Sequence, residues 1–421
     1  MPKQNIILRN NPFTSLEFTD IWVKHYNKNL PSKSFEAIKD VTFVKSSWLP
    51  LYINVGKNLT NAISYRLTDI KINELRNRVF YVYDVPGYLN DEFGKNSPLK
   101  VKRVRQYKGY LCDLQGYDSL SDYISDNFKS KSRRLFFKNK EKLEICFNIR
   151  YQMFFGDNIT RETYDEIFHH FYKLLQKRYT QKRISNHYLS TEKWEYLREV
   201  VYPLILSKKA NLFVTFNEDT PITISLNYIS EEIAFGALTV FDTDYEKFNI
   251  GFIDIMKHIE WYIENEIRIF DFSKGDFDYK KRWGNLIYDF EYHILYRKSV
   301  ISSSIANVLS ILLKTKQYLR EKNLHTLFHR ITFFFNNSGQ KKGLNNYVVE
   351  RLDIKQIKDY NQLRELNVND NNLNPELKRL FYSFLYQYSE RYLKTKLFES
   401  VTKKGTYLVL GEKNANSITL C

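Results

Sequence analysis

Three apolar runs lie almost back to back at residues 211–216 (NLFVTF), 222–228 (ITISLNY) and 233–241 (IAFGALTVF). Each is rich in β-branched and aromatic residues, so each predicts a strand. The first link, Asn217-Glu218-Asp219-Thr220-Pro221, is turn chemistry, and the second, Ser230-Glu231-Glu232, is shorter. A parallel crossover needs roughly a dozen residues or more. Links this short therefore force an antiparallel meander.

The pattern then changes. A polar stretch at 242–249 leads to Ile250-Gly251, and Phe252, Ile255, Met256, Ile259 and Ile263 recur at helical spacing as far as Glu264. A strand over 267–272 stops at Ser273-Lys274-Gly275, followed by Asp276, Asp278, Tyr279, Lys280, Lys281, Arg282 and Trp283. Strand, glycine turn, then ionisable groups is how an α/β fold presents a site at the end of its sheet. The plain alternative is a solvated basic turn. Residues 288–296 read as a last strand closing this unit.

Upstream, residues 1–115 read as a mixed α/β unit with strands near 41–43, 51–55 and 79–83. Ser119 with Asp122 fits a capping box ahead of a helix. The stretch 129–142 holds seven Lys/Arg and one Glu, which suits either an anionic substrate or the wet side of a helix. A cleaner helix is capped by Thr163 and Glu166 and carries Tyr164, Ile167, Phe168, Phe171, Leu174, Leu175 and Tyr179 on one face, with Arg178 near its end. Its His169 and His170 point about 100° apart, a poor metal pair. Downstream come an amphipathic helix over 302–324, a linker at 336–343, a helix begun by Pro375 and a small hairpin from 406–410 and 418–420.

A chain of 421 residues with 43% hydrophobic content has material for more than one core. Its net charge of +16 attracts anions such as nucleic acid, acidic lipid or a phosphorylated cofactor, although a Lys-rich surface alone produces the same sign. Cys112, Cys146 and Cys421 are scattered, in no zinc or CxxC spacing, and fit a reducing compartment. No metal is expected. No run has signal-peptide or membrane-spanning length. A cytoplasmic location is the default expectation, with peripheral attachment at the inner membrane surface compatible with the charge.

Residues 116–298 resemble the CelD-type acetyltransferase-like branch of the GNAT superfamily, which is related to Fem-type aminoacyl transferases. Three pieces carry the resemblance: SKSRRLFFKNKEKLE at 130–144, YEKFNIGFIDIMKHIEW at 245–261, and FDFSKGDFDYKKRW at 270–283, which is similar to the branch's "DF-RGDE-YK-RW" motif. The resemblance implies an α/β (α+β) fold of tandem GNAT-like units with mixed, largely antiparallel sheets. The units would be 1–115 and 116–300, followed by a helical C-terminal extension with a small hairpin over 301–421. It also implies an acyltransferase, acetyltransferase first, with acetyl-CoA or another acyl-CoA as donor. The acceptor would be a small-molecule or lipid-linked sugar intermediate of bacterial envelope polysaccharide. The alternatives are a Fem-type transferase using charged tRNA, or a GNAT-like binding module without catalysis.

Within that frame Asn249, Ile250, Gly251 and Phe252 stand where a helix N-terminus would hold the donor's diphosphate. One glycine there, where the common GNAT loop has two, equally fits an ordinary helix start. Asp276 is the candidate base, Tyr279 the candidate acid for the leaving thiolate, and Lys280 a further catalytic candidate that touches substrate. Lys280 and Arg282 would bind an anionic acceptor, Trp283 would wall a sugar ring, and Arg178 would serve the acceptor side. The structural alternatives are Asp276 as a turn cap, Tyr279 and Trp283 as core, and Lys280 paired with Asp276 or Asp278.

Overall fold

The computed structural model describes residues 8–27, 31–47, 49–69, 75–89, 97–182, 186–322, 347–354, 362–370 and 372–420. The linker expected at 336–343 lies outside them. The first half comprises α1 (Leu16–Tyr26), β1 (Lys33–Phe35), β2 (Ile38–Lys45), β3 (Leu51–Asn54), β4 (Arg66–Leu67), β5 (Val79–Pro86) and β6 (Leu99–Asp113). The second begins with α2 (Leu120–Asn127), α3 (Ser130–Cys146), β7 (Ile149–Phe154), α4 (Arg161–Lys182) and α5 (Thr191–Leu206). It continues through β8 (Ala210–Asn217), β9 (Thr220–Ser230), β10 (Ile233–Phe241), α6 (Ile250–Glu264), β11 (Ile269–Lys274), α7 (Asp278–Trp283) and β12 (Leu286–Arg297). Then follow α8 (Val300–Glu321), β13 (Tyr347–Leu352), β14 (Leu363–Leu366), α9 (Pro375–Tyr388), β15 (Lys396–Ser400), β16 (Thr406–Leu410) and β17 (Ala415–Leu420).

The fold is α/β, built on one large mixed sheet. Its order is β1-β2-β3-β5-β12-β6-β11-β10-β9-β8-β7, with β4 on β2. The expected meander is present: β8, β9 and β10 pair antiparallel in chain order. Only β3 with β5 and β10 with β11 run parallel among the described strands. The strand expected to close the second unit, β12, lies instead between β5 and β6. In turn β6, which follows β5 in the chain, pairs with β11. A continuous sheet thus includes strands from both sides of residue 115. β6 and β12 form a long antiparallel ladder with each other, from Leu286↔Leu111 to Arg297↔Leu99.

Alternation along β9 shows how the layers form. Ile222, Ile224, Leu226 and Tyr228 are buried, and the last three join Leu212 and Val214 of β8 and Phe168, Phe171, Val200 and Leu204 of α4 and α5 in one core. The intervening Thr223, Ser225 and Asn227 point the other way. There Ser225 donates to Asp254 of α6 at 2.9 Å, and Asn227 meets His258 at 3.0 Å. The helix covers this sheet face and pairs with two of its polar side chains, Ser225 and Asn227.

The C-terminal extension departs from the expectation of helix plus hairpin. The hairpin exists as β16 with β17, but it belongs to a five-stranded antiparallel sheet of order β13-β17-β16-β15-β14. Helix α9 packs Leu377, Phe381 and Leu385 into a core shared with Leu143, Phe248 and Ile253. Lys177 and Lys378 both bind Asp244, at 2.6 and 2.8 Å, tying α4 and α9 together.

Candidate active site

Strands β10 and β11 pair at only three positions: Ile233↔Ile269, Ala234↔Phe270 and Phe235↔Asp271. Past these, no register pair joins the two strands. The break coincides with a register shift of β10 against β9 between Gly236 and Leu238. A bulge of this kind bends its strand and increases the twist. On the other side Ser273 adopts left-handed backbone, φ 61°, and the β11–β6 ladder is irregular between Asp271 and Lys274. The strands part and leave a notch. Asn61 of the first half bridges its apex, donating to the Gly236 carbonyl and to Ser273 Oγ, each at 3.0 Å.

At the far end of β10 the chain turns into α6. Asn249 has left-handed backbone (φ 53°, ψ 42°), and its side chain does not cap the helix. Phe241 closes β10 beside this terminus. A Cβ on Gly251 would meet the Phe241 ring at 3.2 Å. The glycine's missing side chain is thus filled by an aromatic ring, a different reason for the glycine from close approach of a phosphate. The Arg178 guanidinium lies over the Phe241 ring at 4.3 Å, and that of Arg282 lies 5.1 Å from the rings of both Phe252 and Phe136. No salt bridge engages Arg178 among the described residues; its one hydrogen bond, to the Thr239 carbonyl, is 3.5 Å long. Arg282 donates to Ser132 Oγ at 3.3 Å. Two guanidiniums and a helix N-terminus without a side-chain cap together suit an anionic group.

Tyr279, at the start of α7, belongs to the same region. It is half exposed, sits edge-on to Phe272 at 6.0 Å, and feels the Arg178 charge. Burial pushes its phenol up to about 12, with Arg178 pulling the other way. It therefore holds its proton at neutral pH and can donate it.

The other expected site residues are placed differently. Asp276 accepts from the Tyr110 hydroxyl and pairs with Lys281 at 2.9 Å. Tyr110 belongs to β6, which flanks β11 on the edge away from β10. The hydrogen bond from Tyr110, then Lys281, holds the Asp276 carboxyl below the usual carboxylate range, a direction that weakens it as a base. Lys280 is only 4% exposed; its Nζ donates to the carbonyls of Ser273 and Lys274 at 3.2 and 2.6 Å. It stitches its own turn rather than reaching outward. Burial pushes its ammonium down to about 8, opposed by Asp271. Trp283 is fully buried, stacked on Phe136 at 5.0 Å and edge-on to Phe128 at 4.8 Å. It is core, and a sugar wall is excluded by its burial. At ~25 cal/mol per Å2 and roughly 200 Å2, its burial is worth about 5 kcal/mol before entropy.

Residues not singled out from the sequence stand at the centre. Asp271 is fully buried in β11 and accepts from Tyr288 Oη (2.5 Å), Tyr88 Oη (3.0 Å) and the Ser273 N–H (2.7 Å). Burial pushes its carboxyl up to about 6 against those donors. Next to it Lys274 reaches into the first half, 2.8 Å from buried Asp84, which also accepts from Thr60 and Gln106 at 2.8 Å each. The available signal was an aspartate inside an apolar strand run; nothing in the sequence marked Asn61. Elsewhere, a cavity of about 780 Å3 lies between the second half and α9 with the 391–394 turn after it, lined by Glu218, Asp242, Tyr245, Lys378, Tyr382 and Arg391 among others. It mixes both charges and is separate from the notch.

Residues 152–281 match the family model described as an acetyltransferase (GNAT) domain. That span holds β10, α6, β11 and most of α7, the elements that make the notch. The match supports an acyltransferase. No curated protein matches the chain. Among solved structures, the chain is similar to a conserved protein of unknown function from Bacteroides thetaiotaomicron VPI-5482. The identity is 10%, covering 69% of this chain and 92% of that one, with TM-score 0.44. It is similar to FemX at 10% identity, covering 64% and 86%, TM-score 0.42. A tandem GNAT protein from the clavulanic acid biosynthesis pathway follows at 8%, 68% and 96%, TM-score 0.32. Likeness this distant carries no argument about substrate.

Proposed function

We propose that the chain is an acyl-CoA-dependent N- or O-acyltransferase, with acetyl-CoA the first donor to test. The observation that carries this reading is the parting of β10 and β11 after three pairs. Strands that separate leave backbone N–H and C=O groups without ladder partners, and an amide-bearing arm such as pantetheine supplies them. The end of the notch suits the rest of the donor: α6's N-terminus with Arg178 and Arg282 would hold its diphosphate. The donor would bring a thioester, an acyl group ready for attack by an amine or hydroxyl. Tyr279, protonated at neutral pH, would return a proton to the leaving thiolate. Asp276 faces the other edge of β11, so the proton of the attacking group leaves through solvent at the notch.

The proposed acceptor is a sugar or lipid-linked intermediate of envelope polysaccharide, a class that rests on the likeness of the 130–144 and 270–283 motifs. A second reading, transfer from charged tRNA, is favoured by the +16 charge and by Lys129, Lys131, Arg134 and Lys138, all exposed on or beside α3. Calorimetric titration separates them. Acetyl-CoA binding in the micromolar range is the expected result. Salt-sensitive binding of charged tRNA without acetyl-CoA binding moves the assignment to aminoacyl transfer. Binding of neither refutes both and leaves a binding module.

A further inference from the structure

Among the described residues, helix α8 packs only one side onto the protein. Ser302, Ala306, Ser310 and Leu313 are buried against β5, β6 and β12. The opposite side carries Ile301, Val308, Ile311, Leu312, Tyr318 and Leu319, exposed to between 45% and 63%. At 100° per residue these six fall on one stripe along a helix of 22 residues, about 33 Å long. Isolated exposed apolar residues need no explanation, but a continuous stripe of this length does.

The charges beside the stripe are predominantly positive. Residues 297–322 contain six cations (Arg297, Lys298, Lys314, Lys316, Arg320 and Lys322) and one acid, Glu321, a net of 6 − 1 = +5. Lys314 and Lys316 are exposed on either flank of the stripe. Lys57, in the loop after β3, adds its field to Lys316 from outside the helix. Glu321 is already taken up by Arg105, 3.7 Å away. No helix among the described residues is long and apolar enough to cross a membrane. An apolar face flanked by cations, on a helix that cannot span, has the form of one lying in the plane of a lipid interface. A second copy would set +5 against +5 along the same stripe, which opposes self-association.

We propose that α8 docks the protein on an anionic lipid surface, its apolar stripe entering the headgroup boundary and Lys314 and Lys316 meeting lipid phosphates on either side. The proposal is independent of the donor reading, since neither the notch nor its residues take part.

The test is co-sedimentation of the full chain with vesicles of phosphatidylcholine alone or mixed with phosphatidylglycerol. The chain should bind the mixed vesicles, bind the neutral ones far less, and lose binding as salt rises. The Ile311→Asp/Leu312→Asp pair should cut binding at least tenfold, by estimate from the ~0.8 kcal/mol carried by each buried CH2, with an unchanged melting temperature. The Lys314→Glu/Lys316→Glu pair should also cut it roughly tenfold or more, at about 1 kcal/mol per cation. Absence of binding at low salt overturns the proposal, as does binding that neither pair weakens. A dimer that the aspartate pair dissolves overturns it in favour of a second copy. A fall in melting temperature on introducing the aspartates overturns it in favour of coverage by the chain's own residues 323–346.

Discussion

Asn61, in the loop between β3 and β4, and Ser273 of β11 meet at the apex of the notch, with Asn61 Nδ2 donating to Ser273 Oγ at 3.0 Å. The same amide holds the Gly236 carbonyl on β10. One side chain thus spans the two strands where their own ladder stops.

Replacing it tests whether the apex is held in this way. Asn61→Ala removes two hydrogen bonds at about 1 kcal/mol each, so unfolding in urea should show a loss of roughly 1–2 kcal/mol. An unchanged midpoint and slope would show that the apex stands without this bridge.

Asp271 should make stability depend on pH in an unusual direction. Its folded value of about 6 lies above the ordinary 3.8, so the native state holds the proton more tightly than the unfolded chain. The stabilisation is fully present below about pH 4 and is lost as pH rises through 6. Two units correspond to about 3 kcal/mol. Asp271→Asn should abolish this component, so the stability difference between variant and parent should change by about that amount between pH 4 and 7. A difference that stays flat across the range would mean the carboxyl titrates normally.

Tyr279 and Asp276 should respond to removal of their chemistry by very different amounts. Tyr279→Phe should lower turnover roughly 10–100-fold while acetyl-CoA affinity stays the same. Asp276→Asn breaks an exposed ion pair with Lys281, so turnover should fall less than about fivefold. Steady-state kinetics on both variants decides it: a collapse in the asparagine variant with a silent phenylalanine variant would restore Asp276 as the base.

Trp283→Ala should cost about 3–5 kcal/mol of stability, because the ring fills the space between Phe128 and Phe136. Normal stability with weakened sugar binding would return Trp283 to the site.

The meander was legible because its strands are β-branched, closely spaced and bounded by turn residues. Where the proposed site lies was suggested by strand 267–272 ending in a glycine turn. Its residue roles were harder to read. Charge after a strand does not say which way it points: Lys280 turned inward to the carbonyls of Ser273 and Lys274, and Asp276 toward Tyr110. Strand β6 was missed because Lys and Arg interrupt it at 100, 102, 103 and 105, although it lies at the centre of the sheet. The pairing of β12 with β5 and β6 was invisible because strand pairing between distant segments leaves no mark in local pattern. The C-terminal sheet was missed for a related reason: β13 and β14 are short and bury little.

Hydrogen exchange with and without acetyl-CoA tests the donor site most directly. Slower exchange is predicted in peptides covering 236–241 and 250–252, with the first-half strands unchanged. Protection confined to the cavity beside Lys378 and Tyr382, or none at saturating acetyl-CoA, would contradict the assignment of the notch to an acyl donor.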